Sequence, residues 1–418
     1  MALTERIGRP EPEEPEQPRG RGRKIARYAV PVAVAGVAAA TITLVPALAD
    51  AGTPSLPKIT AQQLLTKIAA SHTRTLDGTV KVSTDLGLPD ALSGGAADGL
   101  LSGAGQGGGN GGSGSGSSAA PQTQLVQLLA GTHQLHVSVD GPDRQKVSVI
   151  EPTAEYSVIH NGTQLWAYDS ASNQAYHATL PAADGADRAG GADGTDGAAG
   201  VPTTPQAAAE QVLAAARGTA SITVDGTARV AGRSAYELVV TPEHADRTTV
   251  GSVRIAVDSG TGVPLKFTLL PKGGGKAVFD IGFTKVGFGR PAASTFAFSA
   301  PKGAEVTEGK ASDASGGSGS GALSALAAPT VLGTGWDSIA VIDTGGAGTA
   351  ATKGSGGQGG ADAQSLLDSY GTKVTGSFGT GTVFHTRLVN VLLTDKGTLY
   401  AGAVTQSALT QAAADGAK

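Results

Sequence analysis

The sequence predicts an α+β protein built on a large, curved antiparallel sheet with helices on one face. Between residues 132 and 300, one segment after another alternates apolar and polar side chains, which is the period of a strand with one buried face. The helix-like segments are short and few, with one ahead of these strands and one in their middle. Because turns rather than crossover helices join successive strands, we expect antiparallel pairing.

The first helix is predicted after a short proline-bounded connector, in ITAQQLLTKIAA. Thr60 can cap this helix, and Gln63 completes a capping box three residues later. Ile59 and Leu64 form a hydrophobic staple. An apolar stripe follows at Leu64, Leu65, Ile68 and Ala69. These features predict an amphipathic helix of about three turns.

The first half of the predicted sheet follows this helix. A strand begins in TVKVSTDL at residues 79–86, and Asn161-Gly162 joins EYSVIH to TQLWAYD, which is a strong short signal for a hairpin. The other strand-like segments are HQLHVSVD at 133–140, QKVSVIE at 145–151 and QAYHATL at 174–180. Together they predict an antiparallel meander.

A second helix opens the other half of the sheet, at Thr204-Pro205 in PQAAAEQVLAAARG, and Gly218 ends it. The strand-like segments that follow are SITVDG, TARVAG, SAYELVVTP, VGSVRIAVDS, VPLKFTLLP, KAVFDIGFTKVGFG and STFAFSAPKGAEV. The turns between them are predicted at Asp225-Gly226, Ala231-Gly232 and residues 273–275. Alternation places Tyr236, Leu238 and Val240 on one face of their strand, and Phe279, Ile281 and Phe283 on one face of theirs. The pattern therefore predicts an apolar concavity covered by helices.

Beyond residue 303 the sequence predicts a linker and a small second unit. The linker spans residues 304–328 and is rich in Gly, Ser and Ala. Residues 329–412 contain strand-like segments, a glycine-rich insertion at 344–360, a helix-like ADAQSLLDSY and a last helix from Gln406. A unit with so few structured residues is marginal alone, so we expect this small C-terminal α+β unit to dock on the main domain.

The N-terminus predicts export. Residues 1–27 form a disordered basic tail, and YAVPVAVAGVAAATITLVPALA at 28–49 ends in the signal-peptidase pattern Ala47-Leu48-Ala49. The segment is also long enough to span a bilayer. Cleavage near Ala49 and retention as a single-pass anchor in the cytoplasmic membrane therefore both remain open. In either case we expect the rest of the chain to lie outside the cytoplasm, in the cell envelope or secreted.

Composition excludes several classes of function. The chain has no cysteine, which excludes disulfides, thiolate metal sites and cysteine nucleophiles. The formal net charge is -4 and basic residues beyond the N-terminus are scattered singly, so no nucleic-acid partner is expected. Many of the 63 glycines lie in low-complexity insertions, among them 90–120 and 181–203. These insertions predict flexible spacers, and 90–120 is not expected to be a phosphate loop, because no strand directly precedes it and no helix directly follows it.

Asp258-Ser259-Gly260 and Asp343-Thr344-Gly345 are similar to the loops that bring two carboxylates together in aspartic proteases. Asp343, however, runs directly into a glycine-rich insertion, which cannot hold a carboxylate in a fixed position. Asp258 ends an alternating strand, where an Asp stabilises a turn by accepting backbone N–H groups two residues on. The sequence therefore predicts a turn at Asp258 rather than a protease dyad.

No other pattern indicates catalysis, a metal or a cofactor. His133 and His136 are three apart on a predicted strand, so they point to opposite faces and cannot chelate one ion together. His160 and His177 are expected on neighbouring strands, yet no carboxylate pattern completes a site. The sequence contains no nucleophile elbow, zinc-protease helix, phosphate loop or calcium loop. We therefore expect a protein that is not an enzyme.

The ordered set of segments resembles the LolA-like lipoprotein carrier superfamily, which includes the RseB (MucB)-type sigma-factor regulators, in the exported form of high-GC Gram-positive bacteria. The resemblance covers about residues 58–303 and rests on ITAQQLLTKI, DGPDRQKVSVIEPTAEYSVIHNGTQLWAYDSASNQAYHATL, the Pro-led helix, VAGRSAYELVVTPEHADRTTVGSVRIAVDSGTGVPLKFTLL, FDIGFTKVGFG and FAFSAPKG. It implies an unclosed antiparallel β-barrel capped by helices around an apolar cavity, with no catalytic residues.

The resemblance also implies that this cavity holds the acyl chains of lipids or lipoproteins. The candidate cavity residues are Leu64, Ile68, Leu135, Val137, Val158, Trp166, Tyr168, Ile222, Val224, Tyr236, Leu238, Val240, Ile255, Val257, Leu265, Phe267, Phe279, Ile281 and Phe283. Trp166 and Tyr168 either line this cleft or belong to the core, where aromatic residues are common. The alternative function is that of an RseB-like regulator, whose partner is an anti-sigma factor or another membrane protein.

Overall fold

The computed structural model describes residues 53–87, 119–120, 131–180, 204–216, 218–243, 245–309, 330–343 and 371–416. The described residues from Pro54 onward belong to one compact unit. Several predicted segments lie outside these ranges, namely the tail 1–27, the apolar segment 28–49, the insertions 181–203 and 344–360, the helix at 361–370, and most of 90–120 and of 304–328. Within the described ranges, no helix is long and apolar enough to cross a lipid bilayer.

Among the described residues, twelve strands form the first sheet. They are β1 (Thr75–Thr84), β2 (Gly131–Asp140), β3 (Arg144–Ile150), β4 (Glu155–Asn161), β5 (Gln164–Asp169), β6 (Gln174–Thr179), β7 (Ala220–Val230), β8 (Arg233–Pro242), β9 (Val250–Asp258), β10 (Pro264–Pro271), β11 (Phe279–Gly287) and β12 (Glu305–Gly309). Two helices accompany this sheet, α1 (Ala61–Ala69) and α2 (Pro205–Ala215).

The strand order shows how the sheet is assembled: β12-β6-β5-β4-β3-β2-β1-β11-β10-β9-β8-β7. One meander runs from β1 to β6 and a second from β7 to β11, and β1 joins them because it pairs with both β2 and β11. β12 and β7 are the two ends of the order, so the sheet is not closed into a barrel. This confirms the predicted fold class of an unclosed, mainly antiparallel sheet with few helices.

Two strand predictions are wrong in detail. SITVDG and TARVAG form the single strand β7, and its pairing with β8 shifts between Val224 and Thr227. Gly226, with φ of 94°, therefore lies in a bulge rather than in a turn. The segment STFAFSAPKGAEV does not continue the antiparallel ladder, because a short 3-10 helix at Ala293–Phe296 precedes β12, which pairs parallel to β6 at the far edge.

Both helices begin where the sequence predicts. In α1, the Gln63 N–H donates to Thr60 Oγ1 at 3.2 Å and the Thr60 N–H donates to Gln63 Oε1 at 3.0 Å, which are the two bonds of a capping box. In α2, the Ala207 N–H donates to Thr204 Oγ1 at 3.1 Å, and Pro205 occupies the first helical position. Local capping therefore determines where each helix starts.

In the described C-terminal part of the chain, six strands form a second sheet in the order β13-β14-β18-β17-β16-β15. They are β13 (Thr330–Leu332), β14 (Ile339–Asp343), β15 (Gly371–Gly376), β16 (Gly379–His385), β17 (Asn390–Thr394) and β18 (Thr398–Gly402). The helix α3 (Gln406–Gly416) packs on this sheet, since Leu409 lies in one buried cluster with Leu392 and Tyr400.

The second sheet contacts the first where β9 begins and where β1 ends. The Thr249 N–H donates to the Ala403 carbonyl at 3.0 Å. The Arg387 guanidinium donates to the Asp85 carboxylate at 2.7 Å. Leu388 is buried against β9 and the residue that precedes β11. Backbone, ionic and apolar contacts therefore all connect the two sheets.

Asp258 ends β9, and its buried carboxylate holds the turn to β10. The Arg233 guanidinium donates to both carboxylate oxygens, at 2.6 and 3.0 Å. The N–H groups of Gly260 and Thr261 donate to Oδ2 at 3.1 and 2.7 Å. The predicted turn is confirmed, and the structure adds an ion pair with Arg233 that the sequence pattern did not predict.

These contacts determine how Asp258 titrates. Burial raises the pKa of the Asp258 carboxyl, but the hydrogen bonds from Arg233 and Thr261 outweigh burial and bring its pKa below the ordinary value of 3.8. A carboxyl whose pKa is depressed by folding stabilises the fold above its unfolded pKa, and this contribution is lost as the pH falls through the folded pKa. Asp258 therefore stabilises the protein across the neutral range and ceases to do so in strong acid.

The same turn also supports α1. Gly262 has φ of 78°, and a Cβ at this position would lie 2.5 Å from the Lys67 carbonyl oxygen in the last turn of α1. Glycine is therefore required here both by the backbone conformation and by the close approach of the helix. The turn that Asp258 stabilises is the surface on which one end of α1 rests.

Asp258→Asn should lower the free energy of unfolding at pH 7 by about 2 to 3 kcal/mol, because it removes the charge that pairs with Arg233. The difference from the wild-type protein should shrink as the pH falls below about 4, where the unfolded wild-type carboxyl becomes protonated. Urea unfolding at pH 7 and pH 3 measures both effects. Asp246→Asn, at an exposed carboxylate, is the matched control, and unchanged stability of Asp258→Asn at pH 7 would contradict this role.

Candidate functional site

One face of the first sheet, which we call the inner face, carries apolar side chains across both meanders. Directly paired residues of neighbouring strands share a face. Val80 of β1 pairs with Leu135 of β2 and with Phe283 of β11, so the junction between the meanders is apolar. Toward β7 the next row continues through Val82, Ile281, Phe267, Ile255, Leu238 and Val224. Toward β6 a row runs through Val137, Val147, Val158, Ala167 and Tyr176.

The helices α1 and α2 cover the inner face over β1, β2 and β7 to β11, which we call the closed half. Leu64 of α1 and Ala209 of α2 are fully buried. The candidate residues that pack with them in one cluster are Leu64, Ile68, Leu135, Val137, Ile222, Val224, Tyr236, Leu238, Val240, Ile255, Val257, Leu265, Phe267, Phe279, Ile281 and Phe283. Leu238, Ile255 and Ile281 expose 0% of their surface, so a ligand reaches these three side chains only when a helix moves.

The inner face over β3 to β6, which we call the open half, is less completely covered at the valines of β3 and β4. Val147 and Val149 of β3 and Val158 of β4 are only partly buried. Val149 packs against the buried clusters of both halves. The apolar surface is therefore continuous from the packed core of the closed half to side chains that water reaches.

Val147 and Val149 were not among the candidate residues from the sequence. The signal that would have identified them is the alternation in QKVSVIE, where both valines occupy one face of the predicted strand. Val158, the candidate on β4, pairs directly with Val147 and so lies beside it on the inner face.

Tyr156 lies in the buried cluster of the open half, and its hydroxyl donates to the Ala119 carbonyl at 3.1 Å. Burial raises the pKa of the Tyr156 phenol, and the charge of Asp169 raises it further, so the phenol remains neutral. Asp169 in turn accepts hydrogen bonds from the Ala171 N–H and the Ser172 hydroxyl, at 2.9 and 2.7 Å. Protein groups already engage these polar atoms, so this part of the inner face offers mainly apolar contact to a ligand.

Trp166 and Tyr168 lie on the opposite face of the sheet, which we call the outer face. They alternate on β5 with Leu165 and Ala167, which belong to the inner-face cluster. Trp166 stacks on the His177 ring with centroids 4.1 Å apart, and Phe298 contacts both Trp166 and Tyr168 at 5.3 and 5.6 Å. The structure therefore separates these two candidates from the others and packs them under the segment that leads to β12.

The two pairs of histidines that the sequence offered as candidates lie in the first sheet. His133 and His136 point to opposite faces, as predicted, and His136 approaches the Asp77 carboxylate at 3.3 Å. The expectation that His160 and His177 lie on neighbouring strands is wrong, because β5 separates β4 from β6. His177 instead contacts the Glu308 carboxylate at 2.8 Å. Within the described residues, no group of three or more His, Asp or Glu side chains is arranged to hold a metal ion.

Comparison with known proteins gives only distant likenesses. No family model and no curated protein matches the chain. Among solved structures, MucB in complex with MucA from Pseudomonas aeruginosa is 14% identical with a TM-score of 0.36, and the match covers 84% of this chain and 96% of that one. A LolA superfamily protein from Nitrosomonas europaea is 12% identical with a TM-score of 0.22, over 58% of this chain and 99% of that one. An uncharacterized conserved protein from Thermus thermophilus is 11% identical with a TM-score of 0.29, and the match covers 60% of this chain and 99% of that one.

These structures include members of the superfamily that the sequence resembles. Their identities are low and their TM-scores lie below 0.5, so the likeness carries no argument about function.

Proposed function

We propose that the protein is a non-catalytic, extracytoplasmic carrier-like protein that holds the acyl chain of a lipid or lipoprotein on the inner face of its first sheet. The observation that carries this proposal is the continuity of the inner face, in which Val149 connects the partly exposed open half to the buried closed half. A ligand that enters at the open half meets apolar side chains along its whole path. The export signal predicted at residues 28–49 supports a location outside the cytoplasm.

The energetics suit a long hydrocarbon chain. Each methylene group removed from water contributes about 0.8 kcal/mol, so about ten buried methylenes contribute about 8 kcal/mol before the cost of association. No charged or hydrogen-bonding partner is needed for this gain. An apolar chain is therefore the class of ligand that the inner face recognises with the groups it has.

The helix α1 is the element that we expect to move when the closed half takes up the chain. It has nine residues, and Leu64 is its one fully buried side chain among those described. The strands of the closed half are in addition hydrogen-bonded to their neighbours in the sheet, so α1 is easier to displace than any of them. Its C-terminal end rests on Gly262, so we expect α1 to pivot there rather than detach.

Val147→Glu in the full chain should abolish binding of a fluorescent fatty acid, because it places a carboxylate on the open half where the acyl chain would lie. Val147 is only partly buried, so the charge can reach water and the fold should persist. Leu238 is unsuitable for this test, because a charge at a fully buried position would unfold the protein.

Ile150→Glu is the matched control. Ile150 is on the same strand and is 43% exposed on the outer face, so the same substitution should leave fatty-acid binding within about twofold of wild type. Mass spectrometry of lipids that copurify with each variant gives a second measurement. Equal binding by both variants, or wild-type protein that carries no lipid and ignores the probe, would rule out the proposed function.

A second candidate function is that of a regulator that binds an extended segment of an anti-sigma factor or another membrane protein. The observation that favours it is β13, an edge strand of the second sheet on which Val331 is 61% and Leu332 38% exposed. Edge strands with exposed apolar residues pair readily with a strand from another chain.

For this second function, the full chain should capture a membrane signalling protein from envelope extracts, and Val331→Glu should lose at least about three-quarters of that capture. Thr330→Glu, at an exposed residue of the same strand, is the control and should retain it. Capture that is equal in all three proteins, or absent from the wild type, would exclude this candidate.

A further inference from the structure

The outer face of the first sheet carries a cleft of about 550 Å³ over β1, β10 and β11. The apolar inner face lies on the other side of these strands, so the proposed acyl-binding function does not involve this cleft. Its charged and glycine lining consists of Lys81, Lys266, Lys276, Asp85, Asp280 and Gly282.

Gly282 is part of the lining of this cleft and lies between two lysines. Gly282 of β11 pairs with Lys81 of β1 on one side and with Lys266 of β10 on the other, so the three residues form one row across the outer face. A Cβ at Gly282 would lie 3.1 Å from Lys266 Cγ. The missing side chain therefore lets the aliphatic part of Lys266 lie across Gly282, while the Lys266 ammonium group reaches the Asp280 carboxylate at 3.0 Å.

The carboxylates of the cleft already have cationic partners. Asp85 accepts a hydrogen bond from Arg387 at 2.7 Å, and Asp280 lies 3.0 Å from Lys266 Nζ. Lys81 and Lys276 are both exposed, and neither forms an ion pair with another residue in the part of the chain that the structure describes. The cleft therefore has two positive charges that no carboxylate of its lining offsets.

We propose that this cleft binds a phosphate group, held by Lys81 and Lys276. Ammonium groups bind phosphate oxygens as point charges, and the cleft is large enough for a phosphate group. The formal net charge of the chain is -4, so this site is a local concentration of positive charge rather than part of a generally basic surface. The phosphate comes either from a lipid headgroup or from free phosphate, and the two sources can be distinguished experimentally.

The test titrates the full chain, at low ionic strength in a non-ionic detergent, with inorganic phosphate and with glycerophosphoglycerol, the deacylated headgroup of phosphatidylglycerol. Neither probe has an acyl chain, so the result is independent of the inner face. Isothermal titration calorimetry should show that Lys81→Glu/Lys276→Glu weakens binding at least about tenfold. Lys302→Glu/Lys396→Glu changes the net charge equally at exposed lysines elsewhere and should stay within about twofold of wild type.

Each outcome bears on the proposal. Binding of glycerophosphoglycerol that is lost only in Lys81→Glu/Lys276→Glu assigns the cleft to a lipid headgroup, and binding of inorganic phosphate alone assigns it to free phosphate. The proposal is overturned if neither probe binds the wild-type chain, or if the two double variants weaken binding equally.

Discussion

β1 pairs with β2 on one side and with β11 on the other, and this double pairing joins two meanders into one sheet. Gly78 of β1 approaches β11 so closely that a Cβ would lie 2.6 Å from the Lys285 carbonyl oxygen. Beyond it the register shifts between Thr79 and Val80, and from there Val80 faces Phe283. Without this pairing, the inner face would be two smaller apolar surfaces with additional exposed edges, which soluble proteins avoid.

The position of the two helices explains why the closed half of the inner face is packed while the valines of β3 and β4 are accessible to water. The strands β7 to β11 receive both helices, and the Asp258 turn supports α1 through Gly262. The strands β3 to β6 have no described α-helix of their own, so Val147, Val149 and Val158 keep part of their surface in contact with water. An apolar path from solvent to core follows from this uneven covering, and carrying an acyl chain requires such a path.

The features that could be predicted from the sequence depend on residues close together in the chain. The capping box at Thr60, Pro205 at the start of α2, and the turn at Asp258 are all local, and all are present in the structure. The pairing of β1 with β11, by contrast, joins distant parts of the chain. The Thr75 hydroxyl donates to the Phe288 carbonyl at 2.8 Å, although the two residues are 213 positions apart. Alternation within a strand does not identify such a distant partner. The parallel pairing of β12 with β6 was missed for the same reason.

Trp166 and Tyr168 show a different limit of prediction from the sequence. Alternation shows that the two residues share a face of β5, but it does not show that this face is the outer one. That depends on their pairing with Ile159 and Ser157 of β4.

The central claim, that an acyl chain lies on the inner face and enters at the open half, is tested most directly by photocross-linking. The full chain is loaded with a fatty acid that carries a diazirine on its acyl chain, irradiated, digested and mapped by mass spectrometry. We predict cross-links on β3 and β4, centred on Val147, Val149 and Val158, with further cross-links on α1 as the chain extends into the closed half. Cross-links confined to the outer face around Trp166 and Phe298 would contradict the claim.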